Sequence, residues 1–132
     1  MRDGKSNNLV EDIIVDDQSA GMLTELGWIM MSGCGHSGII NTAKKLQSIH
    51  NVPIYGAIGG FHLFQASDDV IDKTAIWLQN AGMKKFMGGH CTGIYAAERV
   101  ADMIGIKRDN LSHTAIGSVL KRDLSIIRSS VE

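Results

Sequence analysis

Three times in this chain a short apolar run ends in glycine and then reaches a histidine. Trp28-Ile29-Met30-Met31 leads to Gly33-Cys34-Gly35-His36, Pro53 to Ile58 leads to Gly59-Gly60-Phe61-His62, and Lys85-Phe86-Met87 leads to Gly88-Gly89-His90. His62 follows His36 by 26 residues and His90 follows His62 by 28, about the length of one strand-helix unit. The intervening segments have helical period. Ile39, Ala43 and Leu46 share one face. Ser67-Asp68-Asp69 offers an N-cap and an acidic first turn to a helix that carries Ile71, Ala75 and Leu78, with Gly82 at its end. Thr92 is expected to cap a third helix with Ala96, Val100 and Met103 on one face, stopped by Gly105. Strand and helix in alternation predict an α/β domain with parallel strands and right-handed crossovers.

The flanking segments are read as follows. Met1 to Asn8 is polar and expected to fray. Leu9 to Val15 reads as a short strand, and Ser19 to Gly33 as a hairpin turning near Glu25-Leu26-Gly27. The continuously apolar second arm of that hairpin suits a strand covered on both faces. Ala115 to Val119 and Leu124 to Ile127 are expected to add one or two strands.

Composition narrows the function classes. Hydrophobic residues make up 44% and charged residues 20% of the chain, and the formal net charge is −1. These values fit a packed core and offer no footprint for nucleic acid. The longest stretch without Lys, Arg, Asp or Glu, Leu26 to Ala43, is broken by glycines, His36 and Asn41, which argues against a membrane span. No apolar segment follows Met1-Arg2-Asp3-Gly4-Lys5, so no secretory signal is expected. Two cysteines make no disulfide framework, and a reducing cytoplasm is the expected compartment.

In a parallel sheet the C-terminal strand ends share one edge, so His36, His62 and His90 should face a common crevice. Converging imidazoles suit zinc or another divalent transition metal. Cys34 and Cys91 flank two of these histidines and are candidate thiolate ligands. If Thr92 opens a helix, Thr92 and Gly93 border a helix N-terminus suited to an anionic substrate group. His50, at a helix end, and His113, in a polar loop, are read as structural. A different reading takes Gly33, Gly35 and Gly38 as the letters of a dinucleotide-type turn, which makes the chain a Rossmann-like phosphate-ligand binding module. No Asp or Glu stands about 20 residues on to hold a ribose. Other readings are a non-catalytic remnant or interaction module, and a thiol enzyme built on Cys34 or Cys91.

Gly33-Cys34-Gly35-His36-Ser37-Gly38-Ile39-Ile40-Asn41, Ile58-Gly59-Gly60-Phe61-His62-Leu63 and His90-Cys91-Thr92-Gly93 resemble, in order and spacing, the second half of a branch of the metallo-β-lactamase superfamily. That branch comprises proteins like dihydropterin ribofuranosyl-aminobenzene 5′-phosphate synthase. Asp16-Asp17-Gln18-Ser19 and Ala115-Ile116-Gly117 extend the resemblance to about residues 9–127. It implies that residues 1–132 are a partial domain, the C-terminal half of an αββα sandwich. It also implies one or two metal ions, usually zinc, and attack of a metal-bound hydroxide on an ester, phosphoester or lactam-like bond of a small molecule, phosphorylated or not. His36 and His90 match the family's metal ligands by position, and His62 contacts metal or substrate. No residue is singled out as catalytic. The chain departs from the branch at Gly35, where serine is usual, and it holds no His-x-His, the core of the superfamily's leading metal motif. The resemblance therefore implies completion by a separate first-half chain or a homo-oligomer, and little or no hydrolysis by these residues alone.

Overall fold

The computed structural model describes Glu11, Ile13 and residues 15–128, with the backbone alone at Arg108 and Ser112. The strand expected at Leu9 to Val15 falls largely outside the described residues. The hairpin is present: β1 (Ser19–Thr24) and β2 (Gly27–Ser32) pair antiparallel across Glu25-Leu26. Thr24 Oγ1 donates to Gly27 O at 2.7 Å and accepts from Leu26 N at 3.2 Å, which closes the turn. Three strand-helix units follow. α1 (Ile39–Ile49) leads to β3 (Ile54–Gly59), α2 (Asp68–Asn80) to β4 (Lys85–Gly88), and α3 (Ile94–Ile104) to β5 (Leu111–His113). Among the described residues these strands form one sheet in the order β1-β2-β3-β4-β5, parallel from β2 onward.

That order never reverses. Each right-handed crossover therefore returns its helix to the same face, and one core results. Ile39, Ala43 and Leu46 of α1, Ile71, Ala75 and Leu78 of α2, and Ala96, Ala97, Val100 and Ala101 of α3 pack on Trp28, Met30, Ile54, Ala57, Phe86 and Leu111. Side chains alternate along a strand, so Ile29, Met31 and Met87 point to the opposite face. Ile29 and Met87 are buried there, whereas Met31 is 37% exposed and Met22 of β1 is 41% exposed. One sheet with one helix layer bears out the α/β reading and is the arrangement that the resemblance implied for half of an αββα sandwich.

Helix ends follow local chemistry. Gly82 and Gly105 adopt positive φ and close the C-termini of α2 and α3 with paired bonds, Gly82 N to Gln79 O with Met83 N to Leu78 O, and Gly105 N to Asp102 O with Ile106 N to Ala101 O. The two helices are also tied on their outer side. Arg99 donates to both carboxylate oxygens of Asp72 (2.6 and 3.0 Å), and this hydrogen bonding holds the Asp72 carboxyl below its ordinary range.

Four expectations are corrected. Ser67 precedes α2, but its hydroxyl makes no capping bond; Asp68 and Asp69 supply the favourable charge. α3 begins after Gly93, because Thr92 is drawn into a short 3-10 turn (His90–Thr92). The buried stripe of α3 centres on Ala97, Val100 and Ala101, which leaves Met103 at its edge and 38% exposed. In the tail, Ala115 to Ser118 is a turn. The strands are β5, β6 (Val119–Leu120) and β7 (Ile126–Ile127), the last two pairing as a separate small hairpin.

Gly59 closes β3 at φ 125°, and a Cβ there would run into the carbonyl oxygen of Ser32. Gly59→Ala is expected to lower stability by about 3 kcal/mol or to prevent folding, read by chemical denaturation. Gly33→Ala, whose new methyl would meet only Gln18 O at 3.7 Å, should stay within about 1 kcal/mol of wild type.

Candidate functional site

The strand ends align in a row across the sheet: Ser32 beside Gly59, Gly59 beside Gly88, and Gly88 beside His113. The loops that leave this row carry Cys34 and His36, His62, and His90 and Cys91. The three histidines thus come to one edge, and a fourth, His113, ends β5 on the same row. Its spacing from His90, close to that of the earlier pairs, was the available signal. His113 Nε2 lies 2.9 Å from Glu98 Oε1 on α3, an engagement that suits a structural role.

The loops are held against each other by backbone bonds that bare glycines permit. Gly60 N donates to the carbonyls of Ser32 and Gly33, Gly89 N to Gly59 O, and Phe64 N to Cys91 O. Thr92 is fully buried. Its Oγ1 donates to Gly59 O at 3.2 Å and accepts from Phe61 N at 3.0 Å. The hydroxyl expected to cap α3 and border an anion site instead staples the β3 and β4 loops together. Gly93, next to it, packs against Phe64.

Phe61 and Leu63 are buried and Phe61 stacks on Phe86 at 5.5 Å, so the residue between them, His62, is turned outward. His62 and His90 both hold left-handed backbone, with φ 48° and 50°. Outside glycine that conformation costs of order 1 kcal/mol or more and gathers at functional positions.

The edge sorts into two sets. His36 and His62 have ring centroids 4.5 Å apart, and His62 meets the edge of Phe64 at 5.5 Å. His36 Nδ1 is buried with no hydrogen-bond partner among the described residues, an arrangement that is costly for a polar atom left unengaged. A cleft of about 230 Å³ beside this pair is lined by His36, His62, Ile39, Ile40, Leu63 and Val70. His90 belongs to the other set. Its Nδ1 is 3.6 Å from Cys34 Sγ, Cys91 Sγ donates to Cys34 O at 3.0 Å, and one ligand atom from each of the three residues lies within 4.8 Å of the others. His36, His62 and His90 do not form such a group among the described residues. Burial, then the neighbouring Cys91, Asp17 and Asp16, push the Cys34 thiol up, which disfavours it as a free nucleophile.

The glycine turn before α1 also has an occupant. Asp17 accepts from Gly35 N at 3.1 Å and Ser37 N at 2.8 Å. Burial alone would raise its carboxyl, but the bonds from Ser37, His36 and Gly35 outweigh this and hold it below the ordinary value. Donors that a phosphate would need are thus taken by a carboxylate of the chain itself. The sheet order also lacks the reversal at which doubly wound folds bind dinucleotides. Both features argue against the Rossmann-like reading.

No family model matches the chain. It is 39% identical over 93 residues to 7,8-dihydropterin-6-methyl-4-(beta-D-ribofuranosyl)-aminobenzene-5′-phosphate synthase of Methanocaldococcus jannaschii, covering 70% of this chain and 32% of that protein. It is 30% identical over 123 residues to an uncharacterised protein of the same organism, covering 91% of this chain and 41% of that protein. Among solved structures it is similar to a metal-dependent hydrolase of the beta-lactamase superfamily, with a TM-score of 0.72 and 29% identity over 82% of this chain and 41% of that one. The chain thus spans about a third to two fifths of the length of these relatives. No helix of the described residues is long and apolar enough to cross a membrane.

Thr92→Val keeps the shape but leaves Phe61 N unpaired in a buried place, and should cost about 1–3 kcal/mol in denaturant unfolding; Thr92→Ser should recover most of it. The Asp17 carboxyl is depressed in the folded chain, so its contribution is present above its unfolded pKa and is lost as pH falls through the lower folded value. Amide exchange at Gly35 and Ser37 should therefore accelerate, after correction for intrinsic rates, only below about pH 4, and Asp17→Asn should remove that pH dependence.

Proposed function

We propose, for a chain that belongs to the metallo-β-lactamase superfamily, that it supplies the second-half metal-facing residues of a metal-dependent hydrolase acting on an ester or phosphoester of a small molecule. The observation that carries this reading is the row of strand ends, from which successive loops bring His36, His62 and His90 to one edge. The buried Nδ1 of His36, without a partner among the described residues, fits a metal ligand, and imidazole suits zinc or iron in a site of one or two ions. A bound divalent ion supplies a Lewis acid and lowers the pKa of water towards neutrality.

The chain's own residues prepare the ground. Phe61 and Leu63 anchor the loop that turns His62 outward, and Thr92 locks that loop to the one bearing His90. The cleft beside His36 and His62 is walled by Ile39, Ile40, Leu63 and Val70 and suits the apolar part of a substrate. The 132 residues contain no His-x-His, so the remaining ligands come from a first-half segment, carried on a longer form of the same protein or on a separate chain, with self-association as the other route. Two free thiols suit a reducing compartment such as the cytoplasm.

The test is made on the 132-residue chain in a Cys34→Ser/Cys91→Ser background, where thiols contribute nothing. Zinc affinity by competition with a chromophoric chelator should fall at least about tenfold on His36→Ala. Equal affinity in both proteins would remove the histidine edge as a metal site. Chelator-sensitive hydrolysis of bis(p-nitrophenyl) phosphate by the chain alone should not rise above the metal-only control; robust turnover would show that no further segment is needed.

A further inference from the structure

The hydrolase reading uses His36, His62 and His90 and leaves two thiols unexplained. Cys34 and Cys91 are 57 positions apart and belong to different loops, yet they meet over the same strand end. We propose that Cys34, Cys91 and His90, through its Nδ1, form a metal site of their own, one that takes zinc or another thiophilic cation and is complete within this chain. It shares His90 with the hydrolase reading but does not rest on it.

The distances suit the chemistry. In tetrahedral coordination with Zn–S near 2.3 Å and Zn–N near 2.0–2.1 Å, a thiolate sulfur and an imidazole nitrogen are about 3.6 Å apart and two sulfurs about 3.8 Å apart. Cys34 Sγ and His90 Nδ1 stand at 3.6 Å, and all three ligand atoms fall within 4.8 Å of one another. A contraction of about 1 Å or less therefore assembles the set, with no change of fold.

The surroundings are arranged around this approach. A Cβ on Gly60 would sit 3.0 Å from Cys91 Sγ and 3.2 Å from Cys34 Cα, so the absence of a side chain there leaves room for the two cysteines to meet. Gly60 N bonds the Ser32 and Gly33 carbonyls on the Cys34 side, and Phe64 N bonds the Cys91 carbonyl on the other. The residue supplying the imidazole is one of the two histidines held at positive φ. Cys34 and Cys91 are half-buried and His90 is exposed. Three protein ligands with an exposed side leave a fourth position for water or an exogenous ligand, unlike the closed four-ligand set of a purely structural zinc.

The step balances simply. A divalent cation displaces one proton from each thiol, two protons go to solvent, and the neutral imidazole donates its lone pair. Cys91 gives up the bond it now makes to Cys34 O. No electron is transferred.

The experiment is a titration of the fully reduced 132-residue chain with cobalt(II) under anaerobic conditions. One equivalent should produce a near-ultraviolet thiolate-to-cobalt charge-transfer band, and zinc should abolish it by displacement. Cys34→Ser and Cys91→Ser should each cut the band to about half and weaken binding at least about tenfold, as should His90→Ala for affinity. His36→Ala and His62→Ala should leave the charge-transfer band unchanged, because that band reports thiolate ligation alone, which separates this site from the histidine edge tested above. Zinc should also protect both cysteines of the unmutated chain from maleimide labelling, a readout that needs no variant to fold. Absence of the band in reduced wild type, an undiminished affinity in Cys34→Ser/Cys91→Ser, or an end point at half an equivalent with a metal-bridged dimer would each overturn the proposal.

Discussion

At the end of β3, Gly59 lies so close to the carbonyl oxygen of Ser32 that a methyl group has no room. The next residue, Gly60, sits under the two cysteines, and Gly89, beyond β4, packs on Thr114. Bare backbone at these places lets three loops leave the sheet edge pressed together. Peptide groups that would otherwise face solvent then bond across loops, and the buried Thr92 hydroxyl serves two of them at once. Every candidate functional side chain hangs from that contact. His62 is turned out because Phe61 is pulled in, and His90 is held near Cys34 because Gly89 and Thr92 on either side of it are tied to Gly59.

The sheet order has consequences on both faces. Because β2 to β5 follow one another without reversal, all three helices share a side and build a single core of small and branched side chains against Trp28, Met30 and Phe86. The other face carries Ile29, Met31 and Met87. Exposure of Met22 and Met31 there fits a fold in which a second sheet layer belongs, and agrees with a chain that spans only 32% and 41% of its relatives. The same topology explains the edge. Strands that advance in one direction with near-equal crossovers stack their ends in a row, and chemistry borne by the loops is gathered there.

Much of this was legible in the linear sequence. The hairpin, the three helices and the glycine caps at Gly82 and Gly105 follow from period and turn chemistry, which are local. Two local signals mislead because a distant partner intervenes. Thr92 looks like a helix cap, but Gly59 and Phe61, about thirty positions earlier, claim its hydroxyl. Gly33-x-Gly35-x-x-Gly38 looks like a phosphate turn, but Asp17 fills it. β5 was missed because three residues carry too little pattern to stand out beside the longer strands.

The sequence by itself determined that equal strand-helix units would bring His36, His62 and His90 to one edge, because a parallel sheet converts near-constant spacing into alignment. It did not determine which of those groups face each other. The pairing of His36 with His62, and of His90 with Cys34 and Cys91, was decided by loop contacts spanning tens of residues and by left-handed backbone at two histidines. Neither leaves a periodic trace in the chain, since a contact between loops depends on how whole units pack rather than on any neighbour in sequence.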